Sequence, residues 1–210
     1  LEASSAASDV YKRQVRYISN KSSGKMGFSL AKAAVDESAI VTLISGPVTL
    51  ETPERVKRID IESAEEMKEH VTANLSDIDL FISTAAVADF KMKNAESQKI
   101  KKDQSKNMSL SLEKNEDILK HVSDNNPDLK IVGFAAETEN MIDNARKKLS
   151  SKNLNLIVAN DVSDSSIGFD SNNNEVTLIT EKEELKILKT SKEKVARKIV
   201  QFISKNILND

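Results

Sequence analysis

Short apolar runs alternate with amphipathic helical patterns along most of this 210-residue chain, and that alternation constrains its fold more than any other feature. Residues 39–44 (Ala-Ile-Val-Thr-Leu-Ile), 78–82, 131–135 and 154–159 are the predicted strands. Two of these are apolar nearly throughout, as expected of strands covered on both faces. The helices between them have readable starts. Ser63-Ala-Glu-Glu66 is a capping box ahead of Met67, Val71 and Leu75. Asn115 is the expected cap of a helix bearing Ile118, Leu119 and Val122. Thr138 is expected to open a helix with Met141, Ile142, Ala145 and Leu149 on one face. Repeated β-α-β units imply an α/β, Rossmann-like, mostly parallel sheet with helices on both faces. The end of the chain differs. Residues 175–180 and 185–188 read as a β-hairpin, and Thr190-Ser-Lys-Glu193 caps a final helix bearing Val195, Ile199, Phe202 and Ile203. Residues 91–106 and 162–174 are polar and read as irregular.

Composition narrows the chemistry. Thirty-one basic and 33 acidic residues give a net charge of −2, so no global field draws nucleic acid or an anionic membrane. The chain has no Cys, which removes disulfides, thiolate chemistry and Cys-bound metals. Its two histidines, His70 and His121, fall in polar helical stretches and read as surface residues, so no metal site is expected. No run approaches the roughly 18 apolar residues of a membrane span. Residues 1–14 lack the apolar centre of a signal peptide. A cytoplasmic setting is expected.

Asn20-Lys-Ser-Ser-Gly-Lys-Met-Gly-Phe-Ser-Leu-Ala31 leads into the first helical pattern. A helix start carries free N–H groups and the positive end of the dipole, and Gly24 and Gly27 permit close approach to the backbone. The arrangement suits an anion, and it equally suits a capped helix with a Gly-rich lead-in. It is not a P-loop, because no Gly sits five residues before Gly24 and Met26 stands in place of Ser or Thr. Ligands of open parallel sheets bind at the carboxyl ends of the strands. Polar or small residues follow each predicted strand: Ser45-Gly46, Ser83-Thr-Ala-Ala-Val-Ala-Asp89, Glu137 and Asn160-Asp161. Lys99-Ile-Lys-Lys102, Lys148 and Lys152 could supply cations over such a ligand. These residues point to a phosphate-rich small molecule, and the absence of Gly-x-Gly-x-x-Gly disfavours a dinucleotide oxidoreductase.

Val15-Arg-Tyr-Ile-Ser-Asn-Lys-Ser-Ser-Gly-Lys-Met-Gly27 resembles the signature of bacterial phosphopantothenate–cysteine ligases. Further matches follow in order: Ala85-Ala-Val-Ala-Asp-Phe90, Lys99-Ile-Lys-Lys102, Lys114-Asn-Glu-Asp-Ile118 and Val132-Gly-Phe-Ala-Ala-Glu-Thr138. Lys152-Asn-Leu-Asn-Leu-Ile-Val-Ala-Asn-Asp161 and Gly168-Phe-Asp-Ser-Asn-Asn-Asn-Glu-Val176 complete the set, and the resemblance spans about residues 15 to 205. It implies ligation of 4′-phosphopantothenate to cysteine in coenzyme A biosynthesis, through an acyl-cytidylate, releasing CMP and pyrophosphate. It implies that Asn20 stabilises the acyl intermediate with Arg16 nearby, and that Lys99 sits on a flap over the site (about residues 91–112). Ser83, Thr84, Ala85, Asp89, Phe134, Lys148 and Lys152, with Glu116, Asp117, Ile118 and Leu119, would bind CTP, and Mg2+ would accompany the triphosphate. It implies a homodimer through the C-terminal sheet extension, and a flavin-dependent decarboxylase domain fused to some members.

Three departures stand out. Glu116 occupies a position that is normally Pro, and Phe90 one that is usually Tyr. Residues 1–14 lack the strand and Gly-containing loop that normally precede the signature, so they are expected to be a non-native or disordered leader to a ligase domain at 15–210. Two other classes remain in view: a non-catalytic nucleotide-binding module on the same fold, and a short-chain reductase. The second is disfavoured, because the single Tyr-x-x-x-Lys spacing, Tyr17 to Lys21, precedes the first helix.

Overall fold

The computed structural model describes residues 2–3, 20, 22–93, 110–137, 139–161 and 171–209. Its centre is an eight-stranded sheet. In chain order the strands are β1 (Glu2–Ala3), β2 (Val41–Ser45), β3 (Val56–Asp60), β4 (Leu80–Ser83), β7 (Lys130–Glu137), β8 (Leu156–Asp161), β9 (Asn173–Ile179) and β10 (Glu184–Ser191). A separate two-stranded ribbon is made by β5 (Phe90–Met92) and β6 (Leu112–Lys114). The sheet order is β10-β9-β8-β7-β4-β1-β2-β3. Pairing is parallel from β3 through β8 and antiparallel from β8 through β10.

Period-2 alternation sorts the strand residues to two cores. On one face, α1 (Lys25–Asp36) and α5 (Lys192–Asn206) cover Leu43, Ile82, Val132, Leu156 and Leu178. On the other, α2 (Ala64–Ala73), α3 (Ile118–Asn125) and α4 (Met141–Ser151) cover Ile44, Phe81, Ile131, Ile157 and Ile179. Each such side chain contributes about 1.5–3 kcal/mol by leaving water. β7 carries Gly133 where α3 and the β7–β8 layer crowd it. A Cβ there would stand 2.9 Å from Leu154 Cδ1 and 3.1 Å from Leu119 Cδ2.

The helix caps refine the sequence expectations. Ser63 Oγ accepts from the Glu66 N–H at 3.1 Å, while Glu66 Oε2 accepts from the Glu62 N–H at 2.7 Å instead of reaching back to Ser63. Ser191 caps α5, accepting from the Lys194 N–H. Asn115 is not the cap of α3; Asp117 is, its Oδ1 accepting from the Lys120 N–H at 3.0 Å. Asn115 is instead committed to a loop described below. α4 begins at Met141 after Asn140, which has φ 47°, and Thr138 lies outside the described residues.

Three other expectations change. β3 was not anticipated, because Val56-Lys-Arg-Ile-Asp60 is half-polar. It lies at the sheet edge, where Arg58 donates to Leu50 O at 2.8 Å and stacks 5.2 Å from the Phe28 ring centroid. The irregular stretch from residue 91 begins inside β5, which pairs in register with β6; the rest of the expected flap of residues 91–112, residues 94–109, lies outside the described residues. The expected leader also has a part in the sheet. Glu2 pairs with Thr42 and Phe81, and Ala3 with Ile82, so two of its residues lie between β2 and β4. Residues 4–14 lie outside the described residues.

Candidate functional site

β1 leads through α1 to β2 on one side, while β4, β7 and β8 extend the sheet on the other. The carboxyl ends of β1 and β4 therefore flank the point where the strand order reverses, the crevice in which open α/β sheets bind ligands. A cavity of about 150 Å3 lies there. Residues 22–27 at the start of α1 form one wall, and Thr84 and Ala85 from the end of β4 form another. Phe134 of β7, Asn160 of β8 and Lys192 of α5 close it. Gly24, the residue before α1, has φ 72°, a left-handed conformation that only glycine adopts without strain. That conformation turns the chain into the helix with its first N–H groups at the cavity wall. The described residues lining this cavity include Lys25 and Lys192 and no carboxylate.

The loop after β4 is held from two sides. Asn20 Nδ2 donates to Val87 O at 3.1 Å. Asn115 Nδ2 donates to Ala88 O at 2.9 Å, and the Asn115 N–H donates to Asp89 O at 2.8 Å. Three consecutive carbonyls are thus satisfied by two asparagines distant in sequence. The same bonds fasten the start of α3 to the cavity rim.

Other candidate residues form a second group around α3. Lys152 spans that helix: its carbonyl accepts from Ser123 Oγ in the last turn, and its Nζ lies 2.8 Å from Asp117 Oδ2 at the cap. Burial pushes the Asp117 carboxyl up, but the Lys152 ammonium, the Lys120 N–H and the charge of Lys114 outweigh it and hold it below the ordinary Asp value. Lys148 Nζ lies 2.6 Å from Glu137 Oε1 at the end of β7, and Asn144 Nδ2 donates to the other oxygen at 3.3 Å. Glu116 faces α2, with Lys68 Nζ at 2.5 Å and His121 Nδ1 at 2.8 Å. The hydrogen bond from Lys68 dominates in holding the exposed Glu116 carboxyl below its usual range.

The candidates therefore divide. Thr84, Ala85 and Phe134 line the cavity; Ser83 ends β4, paired with Gly133. Asn20 and Asp89 belong to the bonded loop at its rim. Asp117, Ile118 and Leu119 begin α3, with Ile118 packed into the core and Lys148 and Lys152 nearby on α4 and its cap. Glu116 is engaged by α2 and not by the cavity. Arg16 and Lys99 lie outside the described residues. Sequence reasoning passed over Lys192, whose sequence setting suggested only the first turn of a helix. Among the described residues no cluster of three or more His, Asp or Glu could hold a metal ion, and no helix is long and apolar enough to cross a membrane.

Residues 12–207 match the family described as DNA/pantothenate metabolism flavoprotein C-terminal domain. The chain is 47% identical over 193 residues to the coenzyme A biosynthesis bifunctional protein CoaBC of Vibrio vulnificus (strain YJ016), covering 90% of this chain and 48% of that protein. It is 45% identical over 194 residues to the protein of that name from Bacillus subtilis (strain 168), covering 90% and 47%. The chain thus spans about half the length of these curated relatives. The fold superposes with a TM-score of 0.83 on a crystal structure of the C-terminal domain of a CoaBC protein, at 34% identity, over 100% of this chain and 95% of that one. The chain belongs to the DNA/pantothenate metabolism flavoprotein C-terminal domain family.

Proposed function

We propose that this chain ligates 4′-phosphopantothenate to L-cysteine with CTP as co-substrate, a carbon–nitrogen ligase step of coenzyme A biosynthesis. The observation that carries the reading is the cavity at the strand-order reversal, with two lysines and no carboxylate among its described lining residues. It stands on the motifs that the chain shares with its family. In the first half-reaction a carboxylate oxygen of phosphopantothenate attacks the CTP α-phosphorus. The bond to the β-phosphate oxygen breaks, and its electron pair leaves on pyrophosphate. In the second, the cysteine amine attacks the acyl carbon, loses a proton and expels CMP.

Two anions must approach one another in the first step, so cations and N–H donors have to offset their repulsion. The start of α1 and the loop after β4 present such donors from backbone that folding has already fixed. Thr84, Ala85 and Phe134 would hold the nucleotide, with Ser83 behind them. Asp89, Asp117, Ile118, Leu119, Lys148 and Lys152 would complete its binding at the α3 side, with Glu116 bracing that turn against α2. Asn20 and Arg16 would stabilise the acyl-cytidylate, and Lys99 would approach from the flap. Mg2+ would accompany the triphosphate, bound chiefly through the nucleotide's own phosphate oxygens.

The exposed Leu185 and Leu188 on edge strand β10 suit a second copy of the chain, in keeping with a homodimer. Fusion to a flavin-dependent decarboxylase domain fits relatives named as bifunctional and twice as long. We place the reaction in the cytoplasm. The deciding experiment measures pyrophosphate release with CTP, 4′-phosphopantothenate and cysteine, omitting each in turn. Release that needs CTP and phosphopantothenate, with product that needs cysteine, is expected. CTP binding without turnover would instead indicate a nucleotide-binding module. Equal efficiency with ATP would contradict the CTP assignment, since a pocket that reads a base edge leaves polar groups unpaired with the wrong base.

A further inference from the structure

Glu137, the last residue of β7, follows two residues that line the cavity, Phe134 and Ala136, and alternation turns it to the opposite face of the sheet, toward α4. α4 meets it with two residues one turn apart, Asn144 and Lys148. Lys148 Nζ lies 2.6 Å from Glu137 Oε1, while Asn144 Nδ2 donates to Glu137 Oε2 at 3.3 Å and to Glu139 O at 3.1 Å. The amide thus fixes both the carboxylate and the chain just beyond it. Exposure is unequal across the ion pair: the Glu137 side chain is 14% exposed and that of Lys148 46%. A mostly covered carboxylate needs partners, and both come from one face of one helix. The Lys148 end stays open to solvent, and an ammonium, with three N–H groups, can hold a carboxylate and a second acceptor at once. A pair so exposed at one end adds little to stability, and the carboxylate weakens the pull of Lys148 on any anion. What it adds is placement, because an ammonium is a point charge on a flexible stem with no fixed fork.

We propose that Glu137, oriented by Asn144, is a positioning residue that sets where the Lys148 ammonium meets the nucleotide phosphates. This deepens the ligase reading and rests on it for the reaction and for Lys148 as a nucleotide contact. Glu137 does not itself touch the nucleotide. It keeps one N–H of Lys148, and the ammonium turns another to a phosphate oxygen without transferring a proton. Without the carboxylate, Lys148 would attract the triphosphate at least as strongly, but from many rotamers. Only some of those would offset the charge that forms as the bond to pyrophosphate breaks.

The test is a double-mutant cycle on the whole chain: wild type, Glu137→Gln, Lys148→Ala and the pair, assayed for ligation at varied CTP. Gln keeps the length and shape of Glu and removes its charge. In Glu137→Gln, kcat should fall at least about tenfold, as for a misplaced group, while KM for CTP falls about threefold, the worth of one exposed ion pair. With Lys148→Ala already present, Glu137→Gln should change neither. A carboxylate that merely braced the end of β7 would lower kcat by the same factor with or without Lys148. That result, an unchanged kcat or a raised KM would overturn the proposal, as would wild-type kinetics in Lys148→Ala. Asn144→Ala should lower kcat only when Lys148 is present, and it carries the test if Glu137→Gln does not fold; an equal loss in both backgrounds again overturns the placement. The same chains are titrated with CTP by calorimetry. A wild-type chain that binds CTP without forming product would count against the ligase reading alone. The cycle is then read from CTP affinity: a change of about threefold that requires Lys148 supports the placement, and no change overturns it. A wild-type chain that does not bind CTP would remove both.

Discussion

The side-chain amides of Asn20 and Asn115 donate to consecutive carbonyls of one loop, Val87 O at 3.1 Å and Ala88 O at 2.9 Å. Residues from two distant segments thereby fix the strand-end loop that borders the cavity. Asn115 is half-buried and Asn20 is exposed, so their removal should not cost the same. Asn115→Ala is expected to lower stability by about 1–2 kcal/mol, because Ala88 O loses its donor where water reaches it poorly. Asn20→Ala should cost less. Urea unfolding of both variants checks this, and equal midpoints for Asn115→Ala and wild type would show that the loop does not depend on that bond.

Asp117 supplies an acid-sensitive tie between α3 and Lys152. Its folded carboxyl is held below the ordinary Asp value of 3.8, so the unfolded chain binds its proton first as pH falls. The stability it contributes is therefore present above about pH 4 and is lost as pH drops through the lower folded value. Asp117→Asn should be less stable than wild type at neutral pH, with the difference shrinking in acid. Thermal melts from pH 7 to pH 3 test this; a gap that stays constant would mean the charge is not what matters.

Gly24 has φ 72° ahead of α1. A Cβ there strains the left-handed backbone, so Gly24→Ala should cost about 1–2 kcal/mol. If residues 22–27 hold an anion, pyrophosphate affinity should fall as well, beyond the change in melting temperature. Variants at a cavity-remote helix start with matched stability loss serve as the control.

Under the ligase reading, Lys99→Ala should lower turnover by at least about a hundredfold at saturating CTP, as expected for loss of a group that offsets developing charge. Wild-type-like turnover would rule out that role. Asn20→Asp should stall after the first half-reaction, because added negative charge repels the acyl-cytidylate. Labelled CMP should then accumulate on the acyl group; rapid, complete ligation would sink the assignment.

Local sequence determined much of this protein. Apolar runs fixed β2, β4, β7 and β8 because buried parallel strands need little else. Ser63 marked the start of α2, since a cap is a bond made within one turn, and the Thr190-Ser-Lys-Glu193 box fell one residue from the actual cap of α5, Ser191. The family motifs marked the loops at the strand ends. Tertiary structure decided the rest, wherever one residue had competing partners or a position had no local signal. Asn115 looked like a cap, yet Ala88 O claims its amide and Asp117 caps α3. Val56-Lys-Arg-Ile-Asp60 has weak strand character and becomes β3 because β2 offers an open edge and Phe28 a surface for Arg58. Glu2 and Ala3 have no pattern of their own and become β1 by lying between β2 and β4. Lys192 reads as one more polar residue in a helix start. It is buried in the folded chain, beside the cavity that it lines with the start of α1, because burial depends on which elements meet and not on the residue's neighbours in sequence.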